Sequence, residues 1–416
     1  MNRLLQAMAL STQGLSIFRR GLGLLCLLDA GQRLTQATLL YSDLGVLPRS
    51  AVYSLFDSTY SWSLYFVSGQ PLFAAGLLLL TAALGLAQML GGGSRPLRIA
   101  LWVLMVSVQN RHPGIVDSAD DLLRVMLFWD IFLPDSQERA GPALVSLATL
   151  GWQCQLTVVL VVSAVFWALP HNWMLAAQWG NAVQACRVPW LGSAAGVAVV
   201  AVWWAGSRSV LLPLVGLILA AQAVLMHPVF PLTLAVALSS LSPDPRGSSD
   251  LPSQPRVSAA LRQPKRYSAL LLGWLLLCLI GPLWLLLPRP AEFGPLAALG
   301  GSLGLRQDWT RSYPLARPLR AQVVLRPIGF PKSLYNLDLR QGRRLRLMSQ
   351  AFLQDLRLVT PMAVSFAERD RLRTPVAVWL KIERFSPGLT LPRQEIRQLD
   401  SIRARAGLAR EEENSL

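Results

Sequence analysis

Nine apolar segments run through the first 287 residues, at about 16–38, 71–90, 97–110, 120–134, 143–169, 190–206, 209–227, 228–242 and 267–287. No other feature constrains the fold as strongly. A helix needs about 20 apolar residues to cross a bilayer. Some of these runs reach that length and several fall short of it. In hydrocarbon a segment must satisfy its own backbone donors and acceptors, so each run is expected to be helical. "PVFPLTLAVALSSLS" (228–242) carries the weakest signal of the nine.

The composition agrees. The chain is 53% hydrophobic and 15% charged, whereas a soluble domain carries about a quarter charged residues. The polar remainder is collected at the end. From Pro288 onward there are 22 Lys+Arg against 12 Asp+Glu, a net of +10 out of +16 for the whole chain. The expected architecture is therefore an all-α polytopic membrane bundle of about nine helices, followed by a small α+β C-terminal extramembrane domain. Its parts are a transmembrane domain (1–242), a cytoplasmic linker (243–266), a last transmembrane helix (267–287) and a basic extracytoplasmic domain (288–416). The linker "SPDPRGSSDLPSQPRVSAALRQPKR" is rich in Pro and Ser, a composition that favours an extended, solvated chain. In the tail, "RAQVVLRPIG" and "PVAVWLKIERFSPG" read as strands. "RRLRLMSQAFLQDLRLVTPMAVSFAERDRLR" reads as partly helical and broken at Pro361, and "QEIRQLDSIRARAGLAREEENSL" as a frayed polar helix.

Arginine sets the orientation. Arg3, Arg19 and Arg20 open the chain, Arg95 and Arg98 mark the second inward turn, and Arg139, Arg208 and the linker carry the rest. Positive loops stay in the cytoplasm, so the N-terminus is expected inside and, after nine crossings, the C-terminal domain outside, in a plasma (inner) membrane. "FRRGLGLLCLLDA" begins as an export signal does, but no cleavage site follows it, so it reads as a retained first helix. The basic balance suits anionic lipid headgroups or acidic membrane partners. The lipid bilayer and an exported peptide or protein are the expected partners, and nucleic acid is not.

Several chemistries are set aside by the residues. Lysine occurs only at Lys265, Lys332 and Lys381, and arginine does not give up its proton to act as a base. Cys26, Cys154, Cys186 and Cys278 form no CxxC pair, and His112, His171 and His227 are not spaced for a metal, so no metal site is expected. "GGSLG" (300–304) matches a serine-nucleophile pattern, yet no histidine follows Ser302 in the chain.

The titratable residues gather instead in "SVQNRHPGIVDSADDLLRVMLFWDIFLP", Ser107 to Pro134. Pro113 and Gly114 force a turn, and a helix is expected to start near Ser118, with Ser118 as its cap and Asp120 and Asp121 in its first turn. Arg124 lies several residues into an apolar run, where an unpaired charge is costly. Asp120 at i−4 and Asp121 at i−3 are both within reach of it. Either these pairs fix a structural knot, or the knot lines a ligand site that also offers Asn110, Arg111 and His112. Arg19, Asp29 and Arg33 repeat the pattern in the first helix.

"FRRGLGLLCLLDAGQRL", "YSDLGVLP" and "VSVQNRHPGIVDSADDLLRVMLFWDIFLP" together resemble the HTTM (horizontally transferred transmembrane domain) family, related to vitamin K-dependent gamma-carboxylase. The resemblance covers about residues 15–240, and "NRHP…DDLLR…FW" is its most specific part. It implies nine helices with a non-cytoplasmic C-terminal domain, and "LGLRQDWTRSYP" (Gln307, Trp309) looks like a degenerate family motif. It also implies a quinone as cofactor and a lysine base near the membrane edge. The stretch matching that lysine motif is "VSAVFWALPHNW": Ser163 and Ala164 fit its small pair, Pro170 and Trp173 its end, and Trp167 stands where the lysine would be. Carboxylase activity is therefore not expected.

Two functions follow. One is an integral membrane protein that binds a hydrophobic ligand or exported partner without catalysis. The alternative is a membrane enzyme modifying a quinone, lipid or exported peptide. His171 and His112 are then the candidate proton carriers, because histidine titrates near neutral pH. For His171 the competing reading is a headgroup-level side chain beside Trp173.

Overall fold

The computed structural model describes residues 10, 12–55, 62–91, 93–134, 147–168, 229–239, 319–327, 335–337, 376–384 and 393–402. These residues are mostly helical, as expected. Eight α-helices occur among them: α1 (Thr12–Leu34), α2 (Ala37–Tyr41), α3 (Arg49–Leu55), α4 (Pro71–Met89), α5 (Arg95–Arg111), α6 (Ser118–Phe132), α7 (Leu147–Ala168) and α8 (Val229–Ser239). Single 3-10 turns stand at Leu64–Phe66 and Pro113–Ile115. Six of the nine apolar segments coincide with α1, α4, α5, α6, α7 and α8, including the weak 228–242 run. The segments 190–206, 209–227 and 267–287 lie outside the described residues, as do the linker 243–266, the 343–373 stretch and its Pro361.

Helix ends follow local chemistry. Pro71 opens α4, where its missing N–H costs nothing because the first turn has no intrahelical acceptor for it. α5 ends at Arg111 because Pro113 drives the preceding His112 out of the helical region, to φ −143° and ψ 77°. α6 starts one residue away from expectation. Its cap is Asp117 rather than Ser118: the Asp117 carboxylate accepts from the backbone N–H of Ala119 (3.0 Å) and Asp120 (3.1 Å). The Asp120 carboxylate accepts in return from the Asp117 N–H at 3.2 Å. This reciprocal arrangement is a capping box, in which a carboxylate reaches both donors more readily than a hydroxyl held inside the first turn.

The chain divides into two compact units. The described residues of the first lie within Met1–Asp29, Thr81–Val103 and Asp117–Leu315. Its core is built from Leu15, Phe18 and Leu22 of α1, Leu122 and Trp129 of α6, Trp152 and Leu156 of α7, and Leu234 of α8, all buried. Phe18 meets Trp152 at 5.3 Å between ring centroids. α1 and the end of α4 touch backbone to backbone. A methyl group on Gly23 would lie 2.5 Å from the Met89 nitrogen and 2.6 Å from the Gly85 oxygen. Small residues are what permit such an approach between helices.

The described residues of the second unit lie within Ala30–Leu80, Leu104–Val116 and Ala316–Leu416. Leu40, Tyr41, Val46, Leu47, Val52, Tyr65, Leu78, Met105 and Val108 are buried there. The 41–69 stretch is closed on itself, since the Asp43 N–H donates to the Gly69 carbonyl at 2.9 Å. Its 3-10 turn is pinned to α5: Leu64 N–H donates to Ser107 Oγ at 2.5 Å, and Asn110 Nδ2 donates to the Trp62 carbonyl at 2.9 Å. This unit also holds a four-stranded antiparallel sheet, β1 (Leu319–Pro327), β2 (Tyr335–Leu337), β3 (Val376–Arg384) and β4 (Arg393–Ile402), in the order β2-β1-β3-β4. β1 and β3 fall where strands were expected. β4 takes the first part of the stretch expected as a frayed helix, and 403–416 lie outside the described residues. Its apolar residues Ile396, Leu399 and Ile402 are spaced by three, which imitates a helical face. A bulge accommodates that spacing: Val378 pairs with Asp400 and Trp379 with Gln398, so Leu399 is the extra residue.

Gly23→Ala is expected to lower stability by about 1–3 kcal/mol, the usual cost of forcing an added carbon into a filled contact. Gly76→Ala in α4, whose added carbon meets nothing within 4 Å, is expected to be neutral or to stabilise by up to about 1 kcal/mol through helix propensity. Thermal midpoints of the two purified variants in one detergent check the pair.

Candidate functional site

The residues singled out by sequence sort into two sets. In the first unit, Arg124 is 5% exposed and its Nη2 donates to Asp121 Oδ1 at 2.6 Å. This is the i,i+3 pair that the position of Arg124 demanded. Asp120, its other candidate partner, is engaged in the capping box of α6. Both carboxylates are therefore bound to groups of their own helix start.

A larger cluster in the same unit was not legible beforehand. Asp130 lies in the middle of "LFWDIF" and is fully buried. Arg19 Nε of α1 donates to its Oδ1 at 2.8 Å. Gln88 Nε2 of α4 donates to its Oδ2 at 3.0 Å. Arg98 Nη1 of α5 lies 3.8 Å from Oδ1 and donates to the Asp130 backbone carbonyl at 2.8 Å. Arg19 Nη2 continues to the carbonyls of Leu133 (3.1 Å) and Pro134 (3.0 Å). Those carbonyls follow the last turn of α6, where a cation also meets the negative end of the helix dipole. One carboxylate thus joins four helices. The signal that could have found it is a lone acid among aromatic and aliphatic neighbours, which requires a cation from elsewhere.

The second set belongs to the second unit. Arg111, at the end of α5, is fully buried. Its ionic partner is Asp43: Arg111 Nη2 lies 3.5 Å from Asp43 Oδ1 and donates to the Ser42 carbonyl at 3.3 Å. Both contacts are long. Asp43 is held much more tightly by Arg49, whose Nε donates to Oδ2 at 2.7 Å and whose backbone N–H donates to Oδ1 at 2.9 Å. Gly69 packs directly on this carboxylate, since any side chain there would overlap Asp43 Oδ2. Arg33 Nη1 donates to Tyr41 Oη at 2.7 Å, and its guanidinium lies 5.9 Å from the centroid of that ring. Tyr41 packs on Tyr65 at 5.8 Å. Nε and Nη1 of Arg111 have no hydrogen-bond partner.

Asn110 is committed to the Trp62 carbonyl, and His112 is buried at the entry to the Pro113 turn. His171 lies outside the described residues. Trp167 falls on the helical backbone of α7. Among the described residues no group of three His, Cys, Asp or Glu side chains is placed to hold a metal ion.

Asp130→Asn is expected to destabilise the protein by about 3–5 kcal/mol, the usual cost of leaving buried charges without their counterion. Adding Arg19→Gln is expected to cost much less than the sum of the two single changes, because both act on one pair. A double-mutant cycle of thermal midpoints in detergent reads this, and a near-neutral single variant would contradict the cluster.

No protein-family model matches this chain, and no curated protein or solved structure matches it.

Proposed function

We propose that this chain is a multi-pass membrane protein of the HTTM type that holds a hydrophobic ligand or an exported partner and lacks the carboxylase lysine. The observation that carries this reading is an inverted distribution of polarity. Arg19, Arg33, Arg98, Arg111, Asp120, Asp121, Arg124 and Asp130 are all buried. Leu28, Leu72, Leu79, Leu80 and Leu90 face outward, with Leu72 82% exposed. In water this order is unfavourable on both counts, because buried charge loses hydration and exposed leucine gains none of the benefit of burial. In hydrocarbon the leucine term reverses, and the charges survive by pairing internally.

α4 sharpens the point. Among the described residues it is the one helix long and apolar enough to span a bilayer, with a mean hydropathy of 2.0 over a window of which only 28% is buried. The core helix of a soluble protein would be mostly buried. The nine-helix bundle, the plasma-membrane location, the cytoplasmic N-terminus and the extracytoplasmic α+β domain extend this reading from the arginine pattern and the family resemblance. The ligand-holding function is favoured over the enzyme alternative by the commitments of the candidate groups. Asp120 serves the cap, Asp121 serves Arg124, and Trp167 replaces the lysine.

The expressed chain is expected to remain in the membrane pellet through an alkaline carbonate wash and to require detergent for release. Protease added to intact spheroplasts is expected to remove a C-terminal epitope tag. Release by carbonate alone would overturn the membrane reading. A protected tag in spheroplasts that becomes cleavable after lysis would reverse the orientation.

A further inference from the structure

Arg111 is a fully buried cation whose counterion belongs to another residue. Asp43 bonds Arg49 through both the guanidinium and the backbone N–H, at 2.7 and 2.9 Å, and reaches Arg111 only at 3.5 Å. Nη2 is used, weakly. Nε and Nη1, which carry three of a guanidinium's five N–H donors, are buried without a partner. Native interiors rarely leave such donors unmet, and those of a charged group least of all.

The surroundings favour an anion. The described residues 30–55, 62–80 and 104–116 of this unit carry Arg33, Arg49 and Arg111 against Asp43 alone, an excess of positive charge in a mostly apolar setting. Tyr41 immediately precedes Ser42, whose carbonyl Arg111 Nη2 reaches at 3.3 Å. The Tyr41 oxygen accepts from Arg33, so its own hydroxyl proton remains to be donated. The side chains of Asp43 and Arg49 are 32% and 31% exposed, whereas that of Arg111 is fully buried behind them. Buried guanidinium donors without a partner suit the planar oxygens of a carboxylate or phosphate.

We infer that Arg111 is the anchor of an oxyanion site, taking the carboxylate or phosphate group of the ligand held by this protein, with Tyr41 as a second donor and Asp43 as the internal competitor that the ligand displaces. The inference rests on the ligand-holding reading above and names the chemistry of that ligand. An acidic lipid and a free small anion share this chemistry.

The full chain, purified in dodecyl maltoside, is titrated with inorganic phosphate, with oleate and with dipalmitoyl phosphatidate, with uncharged dioleoylglycerol as control, and thermal stabilisation is followed. A saturable response to an anion and none to dioleoylglycerol is expected. A response to phosphate identifies a free anion as the ligand type, and a response to oleate or phosphatidate alone identifies a lipid headgroup. Arg111→Gln is expected to weaken binding at least tenfold. Because that variant removes a buried group and can fail to fold, the isosteric Asp43→Asn is measured beside it and is expected to tighten binding at least threefold by removing the competitor. No saturable response to any of the three anions, an equal response to dioleoylglycerol, unchanged binding in Arg111→Gln, or unchanged or weaker binding in Asp43→Asn overturns the proposal. A protein that stays in the carbonate-washed membrane yet fails here loses the oxyanion site and keeps its membrane assignment.

Discussion

A single carboxylate, Asp130, holds the first unit together. It sits where hydration is absent, so its charge persists only because Arg19, Arg98 and Gln88 surround it. The dependence is mutual, since each arginine would be costly in the same place without the acid. Apolar packing between helices is weakly directional, and many rotations of α1, α4, α5 and α6 would bury similar area. The hydrogen bonds on Asp130 admit few of those rotations. The Gly23 contact with Gly85 and Met89 is formed within the same unit, where α1 and the end of α4 are already joined through Arg19 and Gln88. Charge fixes the register and close packing fills it.

In the second unit, the described residues 30–55, 62–80 and 104–116 hold three arginines against one acid, Asp43. Asp43 closes the 41–69 stretch by its backbone and anchors Arg49 by its side chain. Having done both, it has little left for Arg111. The two units therefore handle buried charge in opposite ways. Around Asp130 each carboxylate oxygen accepts a hydrogen bond and two arginines lie within ion-pair distance. Around Arg111 two guanidinium nitrogens, Nε and Nη1, lack an acceptor, which is the condition under which a ligand gains most from supplying oxygen.

What the sequence revealed and what it concealed divide by distance along the chain. The helices were legible because length and apolarity are local properties, and six apolar runs became helices. The Arg124–Asp121 pair was legible because partners three residues apart on a helix must meet. The cap was misplaced by one residue, because Ser118 and Asp117 both satisfy the capping pattern and only geometry decides between them. The Asp130 cluster was hidden because its partners lie 32 to 111 residues away, and nothing local says which arginine answers which acid. The same holds for Arg111, whose partner Asp43 lies 68 residues away. β4 was misread because a three-residue apolar spacing means helix unless a bulge intervenes, and a bulge depends on the neighbouring strand.

The 111 residues between Arg19 and Asp130 also have a meaning in time. Chains are synthesised at about 5–20 residues per second. Arg19 therefore leaves the ribosome about 5–20 s before the acid that will neutralise it exists. During that interval the guanidinium must find provisional partners, in water or in whatever surrounds the emerging chain. The first helix thus cannot complete its native contacts when it is made. It waits for the fourth long helix, and the order of biogenesis is written into which residue answers which.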